Sequence, residues 1–139
     1  MSSDSRQGSA IQTISAEEAA RLVRPGDHVF IGTASATPRT VIRALEALKP
    51  APADVELVHF ITNGALRLDD EGRVQTRYRH RCLFVANELR QAVQQGAADY
   101  VPVSIAQVPD LMRRGRLRID VALVQVSPPD EFGYVSLGV

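Results

Sequence analysis

The sequence predicts an α/β domain with an open, mostly parallel sheet flanked by helices. Short apolar segments typical of strands alternate along the chain with amphipathic segments that begin at helix-capping residues. The nearly uninterrupted, β-branched run from Val121 to Val126 is typical of a strand buried on both faces, so we expect it at the centre of the sheet. It stops at Ser127-Pro128-Pro129-Asp130, where two prolines lack the N–H donors that a sheet needs.

The remaining elements follow from local signals. Ser15 and Glu18 form a capping box that starts the first helix. Thr37 is expected as the N-cap of the second helix, with Pro38 as its first residue. Pro102 indicates either a strand at the sheet edge or the end of a strand. Strands are predicted at 27–31, 55–61, 82–86, 99–103 and 119–126, and helices at 16–23, 38–48, 88–95 and 109–114.

Composition limits the functional classes. With 139 residues, the chain has the length of one domain, and a formal net charge of zero argues against a nucleic-acid or membrane-surface binder. The single cysteine, Cys82, allows no internal disulfide and no cysteine-based metal cluster. No apolar run is long enough to span a membrane and no signal-peptide core is present, so we expect a cytoplasmic protein. We expect no metal, because none of the three histidines has metal-ligand spacing to a partner. Residues 1–13 are expected to form a disordered tail ahead of a domain at 14–139.

Polar loops follow three of the predicted strands, at 33–37, 62–64 and 127–133. Parallel strands bring their carboxyl ends to one edge, where open α/β sheets place ligands. Small residues before a helix N-terminus suit a phosphate, a carboxylate or an oxyanion, although a plain tight turn explains them equally well. The chain lacks the G-x-G-x-x-G dinucleotide fingerprint, and Ser35 lacks the flanking glycines of a hydrolase elbow.

Three further features allow two interpretations each. His59 lies in a predicted strand and is either a structural histidine or part of a site. The basic stretch 73–81 is either an ion-paired surface or subunit contact, or a docking surface for the phosphates of a cofactor. Cys82 is either a small buried hydrophobic residue or a nucleophile, and an apolar strand favours the former.

The C-terminal string DVALVQVSPPDEFGYVSLGV resembles the end of the N-terminal domain of the acetyl-CoA hydrolase/transferase family, which includes 4-hydroxybutyrate and acetate CoA-transferases. The segments GDHVFIGTASATP, VELVHF and GAADYVPVSIAQVPDLMRRG are similar to that family as well. The resemblance covers nearly the whole chain, from Ile14 to Val139.

This resemblance implies an enzyme that moves CoA between an acyl-CoA and a small carboxylate through a glutamyl-CoA thioester. The nucleophilic glutamate of the family lies in a C-terminal domain, so no catalytic residue is assigned to this chain, which is expected to be inactive alone. The implied substrate-binding and CoA-binding residues are Gly32, Thr33, Ala34, Ser35, Ala36, Thr37, Pro38, Asn63, Ser127, Pro128, Pro129, Asp130 and Gly133.

The alternatives are an acyl-CoA hydrolase domain and a non-catalytic remnant that binds CoA or a carboxylate. The expected partners are acyl-CoA, a small carboxylate, and a C-terminal catalytic domain or second subunit. An exposed apolar face at 134–139 is expected to receive such a partner and to favour a homo-oligomer.

Overall fold

The structure, a computed structural model, describes residues 12–62, 67–68, 74–85 and 87–137. These residues form a five-stranded, wholly parallel sheet, which confirms the predicted fold class. Its strands are β1 (His28–Ile31), β2 (Glu56–His59), β5 (Arg79–Cys82), β6 (Ala98–Tyr100) and β7 (Val121–Leu123). They lie in the spatial order β6-β5-β2-β1-β7. A two-stranded antiparallel pair, β3 (Arg67–Leu68) and β4 (Val74–Gln75), separates β2 from β5 along the chain.

Helices cover the sheet on both faces. They are α1 (Ala16–Ala20), α2 (Arg39–Ala47), α3 (Asn87–Gln94) and α4 (Val108–Arg113), with a 3₁₀ turn at Ile105–Gln107. The capping box predicted at the start of α1 is confirmed, because the Glu18 N–H donates to the Ser15 hydroxyl and the Ser15 N–H donates to the Glu18 carboxylate. None of the helices in the described part of the chain is long and apolar enough to cross a membrane.

Side chains alternate between the two faces of the sheet and form separate cores. On one face, Ile31 and Leu57 pack against Ile42 and Leu45 of α2. Cys82 continues that face toward α3, where it packs with Leu89, Ala92 and Ala98. The opposite face holds a smaller cluster built from Val58, Leu83, Val108 and Leu117. The sheet thus lies between two layers of helices, and the loops that follow its parallel strands leave from the carboxyl ends of those strands.

The C-terminal strand differs from its prediction. β7 spans only Val121–Leu123 and, among the strands of the described residues, pairs with β1 alone, so it is an edge strand and not the centre of the sheet. Ala122 is exposed, and beyond the strand Val124 and Val126 keep 45% and 41% of their surface accessible. An apolar run indicates that its side chains become buried, but it does not indicate whether they are buried by the same domain or by another one.

The strand predicted at 82–86 is also misplaced. β5 begins at Arg79 and ends at Cys82, within the basic stretch that was not expected to form a strand. Charged residues are tolerated there because Arg79 and Arg81 share one face of the sheet with Glu56, which balances their charge. Most of the predicted tail at 1–13 and the loop residues Asn63 and Gly64 lie outside the described residues.

Candidate functional site

The carboxyl ends of β1, β2 and β7 lie side by side. Ile31 is in register with His59 of β2 on one side and with Leu123 of β7 on the other. Beyond the strand, the Gly32 N–H donates to the Leu123 carbonyl over 2.8 Å. The loops after these three strands therefore start from one edge of the sheet, as predicted.

The loop after β1 is joined to the end of β2. The Thr33 hydroxyl donates to the Ile61 carbonyl over 2.7 Å and accepts from the Ile61 N–H over 3.2 Å. Ala34 forms an isolated parallel bridge with Thr62 and has a positive φ of 52°. The structure thus brings Thr33 and Ala34 together with Ile61 and Thr62.

The same loop folds tightly on itself. The Ala36 N–H donates to the Thr33 carbonyl, and the Thr37 N–H and hydroxyl both donate to the Ala34 carbonyl. The prediction that Thr37 is the N-cap of α2 is therefore wrong. Its hydroxyl donates within the turn, and Pro38 takes the N-cap position. Since several N–H groups of the loop already donate to carbonyls, the tight-turn interpretation explains most of its geometry. The side chains of Thr33 and Ser35 remain exposed.

Gly32 is required by close packing at this point. A Cβ atom at Gly32 would lie 2.8 Å from the Ala36 carbonyl oxygen and 3.2 Å from that of Leu123. A separation of 2.8 Å is shorter than van der Waals contact, so any side chain here would push the loop away from β7.

A buried chain of hydrogen bonds supports the end of β2. Thr62 Oγ1 lies 2.9 Å from His59 Nδ1, His59 Nε2 lies 3.1 Å from His80 Nδ1, and His80 Nε2 lies 2.7 Å from Thr76 Oγ1. The Thr76 hydroxyl also donates to the Tyr78 carbonyl, so it accepts from His80 Nε2–H. All three hydrogen bonds are then donated in the same direction: the Thr62 hydroxyl donates to His59, His59 donates to His80, and His80 donates to Thr76.

Both histidines of this hydrogen-bonded network, His59 and His80, are held neutral. His59 and His80 are each 1% exposed, and their rings meet edge to face. Burial, with a smaller contribution from the charge of His80, lowers the pKa of His59 from its ordinary 6.5 to about 3. Burial alone lowers the pKa of His80 to about 4. The geometry supports the structural interpretation of His59, as a ring that anchors the turn at Thr62.

Cys82 is a buried hydrophobic residue. It has no exposed surface, and burial, followed by the charge of Asp99, raises the pKa of its thiol to about 11. A thiol that stays protonated is a poor nucleophile, so the structure supports the packing role.

The basic stretch is an ion-paired element rather than a free cationic surface. Glu56 is 1% exposed, and its carboxylate lies 2.8 Å from Arg81 Nε and 3.5 Å from Arg79 Nη2. Arg77 donates to the Leu48 carbonyl, and the buried Tyr78 hydroxyl donates to the Leu45 carbonyl. Glu56 and Arg79 are the first residues of β2 and β5, so these contacts lie toward the amino ends of the strands, away from the loops at the carboxyl ends.

The segment after β7 forms a hairpin-like excursion from Ser127 to Ser136. The Ser127 N–H donates to the Ser136 carbonyl, and the Asp130 N–H donates to the Tyr134 carbonyl. Asp130 Oδ1 accepts from the N–H groups of Phe132 and Tyr134, which makes this carboxylate the organiser of the turn. Gly133 supplies the positive φ of 82° that the turn requires. Tyr134 and Leu137, within the apolar face predicted at 134–139, stay 74% and 72% exposed, and Phe132 just before it stays 76% exposed. Residues 138–139 of that predicted face lie outside the described residues.

A cavity of about 480 Å³ lies beside the loop after β1 and was not predicted. It is lined by Thr33, Ala34, Phe60, Ile61, Leu83, Phe84, Val103 and Ile105. The sequence signal for it was present, because apolar pairs stand directly after the buried ends of β2 and β5. Those pairs had been assigned to the strands themselves, so the cavity was missed.

Within the described ranges, no group of three or more histidine, cysteine, aspartate or glutamate side chains is arranged to hold a metal ion. What the edge offers chemically is an apolar cavity beside a loop of small residues, without a nucleophile among the described cavity-lining residues.

The sequence pattern described as the acetyl-CoA hydrolase/transferase N-terminal domain matches residues 4–139. The chain belongs to this family. It is 38% identical over 126 residues to a 4-hydroxybutyrate coenzyme A transferase of Clostridium kluyveri, covering 91% of this chain and 29% of that protein. It is 34% identical over 124 residues to a succinyl-CoA:acetate/propanoyl-CoA:succinate CoA transferase of Fasciola hepatica, covering 88% of this chain and 25% of that protein.

Solved structures agree with this membership. The crystal structure of RipA from Yersinia pestis superimposes with a TM-score of 0.73 at 27% identity, over 91% of this chain and 31% of that one. This chain therefore spans between a quarter and a third of the length of these relatives.

Proposed function

We propose that residues 14–139 form the N-terminal α/β domain of a CoA-transferase, which moves CoA from an acyl-CoA to a small carboxylate. The family match over residues 4–139 carries this proposal. Both curated relatives described above bear names of CoA transferases, and each extends well beyond the matched region. Their length supports a catalytic partner for this chain, supplied by a C-terminal domain or a second subunit.

In the proposed reaction, a glutamate carboxylate outside this chain attacks the thioester carbonyl and expels CoA thiolate, leaving an acyl-glutamyl anhydride. The thiolate then attacks the glutamyl carbonyl, which releases the carboxylate of the donor and forms a glutamyl-CoA thioester. The incoming carboxylate repeats these steps in reverse. Neither Glu56 nor Cys82 is an accessible nucleophile, because Glu56 is buried against Arg81 and Cys82 is buried as a protonated thiol.

The role proposed for this chain is to hold the substrate. The loop 32–38, Asn63 and the loop 127–133 are the proposed contacts to CoA and the acyl group. Support comes from the shared edge of the sheet, where the Gly32 N–H meets the Leu123 carbonyl and Ala34 bridges to Thr62. A location in the cytoplasm is part of the same proposal.

A hydrolase is the second candidate, and the family description, which names both activities, favours it. The two differ only in the acceptor, since water would take the place of the second carboxylate. The product of the complete gene should therefore be incubated with acetyl-CoA and isotopically labelled butyrate. We expect labelled butyryl-CoA, together with a trappable CoA adduct on one glutamate outside residues 1–139. Release of free CoA without labelled butyryl-CoA would assign the protein as a hydrolase, and the absence of both products would refute the proposal.

A further inference from the structure

We infer that the cavity between the carboxyl ends of β2 and β5 binds the apolar acyl chain of the thioester. The substrate would then be a short, unsubstituted acyl-CoA rather than one that carries a terminal carboxylate or hydroxyl. This inference rests on the proposed function and narrows its substrate class.

The position of the cavity follows from the register of the sheet. His59 is paired with Cys82, and Cys82 is paired with Tyr100, so the chain leaves β2, β5 and β6 at the same height. The residues that follow these strands converge and form the walls. They are Phe60 and Ile61 after β2, Leu83 and Phe84 after β5, and Val103 and Ile105 after β6. Thr33 and Ala34 close the side nearest the loop after β1.

The size and the exposure of the walls both suit a small apolar ligand. A volume of about 480 Å³ lies within the roughly 300–1,000 Å³ typical of small-molecule sites. Ile61, Phe84 and Ile105 remain 38%, 51% and 73% exposed. Large apolar side chains left open around one cavity mark a surface that gains from being covered.

The chemistry of the lining decides against a charged or hydroxylated acyl group. Among the described lining residues, Thr33 carries the only polar side chain. Its hydroxyl already donates to the Ile61 carbonyl and accepts from the Ile61 N–H. A carboxylate or hydroxyl that entered the cavity at the end of an acyl chain would exchange water for apolar side chains and gain no free partner among the described lining residues. An alkyl end loses nothing and removes its own surface from water.

The first test uses thioesters of N-acetylcysteamine, which carry an acyl chain without the nucleotide of CoA. The acetyl, butyryl, hexanoyl and succinyl thioesters are titrated into the 139-residue chain while the methyl NMR signals of Leu83, Val103 and Ile105 are followed. We expect shifts at these methyl groups and an affinity that rises about fourfold with each added methylene. Butyryl and succinyl thioesters have equal chain length, so their comparison isolates the terminal carboxylate, which should cost at least about tenfold.

Two single substitutions locate the binding. Ile105→Ala removes an exposed part of the wall and should weaken hexanoyl thioester binding by about fourfold. Leu22→Ala is the matched control, because Leu22 is 64% exposed and does not line the cavity, and it should leave the affinity unchanged. If Ile105→Ala disturbs folding, Phe84→Leu shortens a second wall residue while keeping it apolar.

The outcomes separate the inference from the proposed function. Binding of CoA to the chain without dependence on acyl length, or with equal affinity for butyryl and succinyl thioesters, would overturn the inference and leave the proposed function intact. Length-dependent binding in the cavity by a protein whose complete gene product shows no CoA transfer would support the site and refute the function. Methyl shifts that follow protein concentration instead of thioester would show that a second copy fills the cavity, which also overturns the inference.

Discussion

The buried pair His59 and His80 makes a specific prediction for stability against acid. Both rings are neutral in the folded protein, with pKa values lowered to about 3 and about 4. In the unfolded chain the same rings should titrate near the ordinary 6.5, so below that pH the unfolded state binds more protons. The free energy of unfolding must therefore fall as the pH is lowered through 6.5, and the stability is fully present only above it.

The magnitude follows from the size of the shifts. Each histidine that is neutral when folded and protonated when unfolded contributes about 1.4 kcal/mol per pH unit below 6.5. Between pH 7 and pH 5 this amounts to about 2 kcal/mol for one ring and about 4 kcal/mol for the pair. Carboxylates with ordinary pKa values contribute little in this window, because they titrate mainly below pH 5.

The assay is urea unfolding of the 139-residue chain at pH 7, 6 and 5, followed by circular dichroism. The double variant His59→Gln/His80→Gln is the control, since its amides cannot take up a proton; it should be less stable at pH 7 but lose most of the pH dependence. A loss below about 1 kcal/mol between pH 7 and pH 5 would refute the assignment of two neutral buried rings. An unchanged slope in the double variant would refute it as well.

Three further predictions concern other parts of the molecule. Glu56→Gln should destabilise the fold by about 3 kcal/mol in urea unfolding, because it leaves Arg81 without its buried partner. Asp110→Asn, in the exposed ion pair with Arg114, is the control and should cost less than about 1 kcal/mol. Equal effects of the two substitutions would contradict this difference in burial. Gly32→Ala should cost about 1–3 kcal/mol, since its Cβ would meet the Ala36 carbonyl oxygen at 2.8 Å, and an unchanged melting temperature would show that the loop can move freely. The exposed apolar side chains of Phe132, Tyr134 and Leu137 should cause self-association that sedimentation velocity detects, and a monodisperse monomer at high concentration would count against a docking face there.

The sequence was sufficient for the fold class because its signals are local. The capping box at Ser15 and the alternation of strands with helices depend on neighbours along the chain, and both are confirmed. Both alternatives indicated by Pro102 agree with the structure, because β6 is the outermost strand and ends at Tyr100, before the proline.

The errors arose where a long-range partner decides the outcome. Glu56 allows Arg79 and Arg81 to lie in a strand, and that pairing joins residues more than twenty positions apart. The order of the strands placed β7 at the edge, although its apolar sequence is that of a central strand. Neither contact can be read from local propensity, which is a weak prior that tertiary packing overrides.

The sequence predicted where the loops begin, but it did not predict the cavity. The register of β1, β2 and β7 places Ile31, His59 and Leu123 side by side, so the loops that follow them start at the same end of the sheet, as parallel strands require. The cavity depends on residues that follow β2, β5 and β6, and only the strand order shows that these meet. The chain of hydrogen bonds from Thr62 to Thr76 was hidden for the same reason, since His59 and His80 belong to neighbouring strands.

The central claim is that this chain holds the substrate while a separate part of the enzyme supplies the nucleophile. The most direct measurement is CoA transfer from acetyl-CoA to butyrate by the 139-residue chain alone, and then by the same chain mixed with its proposed partner, a separately produced C-terminal domain or second subunit. The account predicts no turnover by the chain alone and turnover once the second part is added. Turnover by the isolated chain would contradict it.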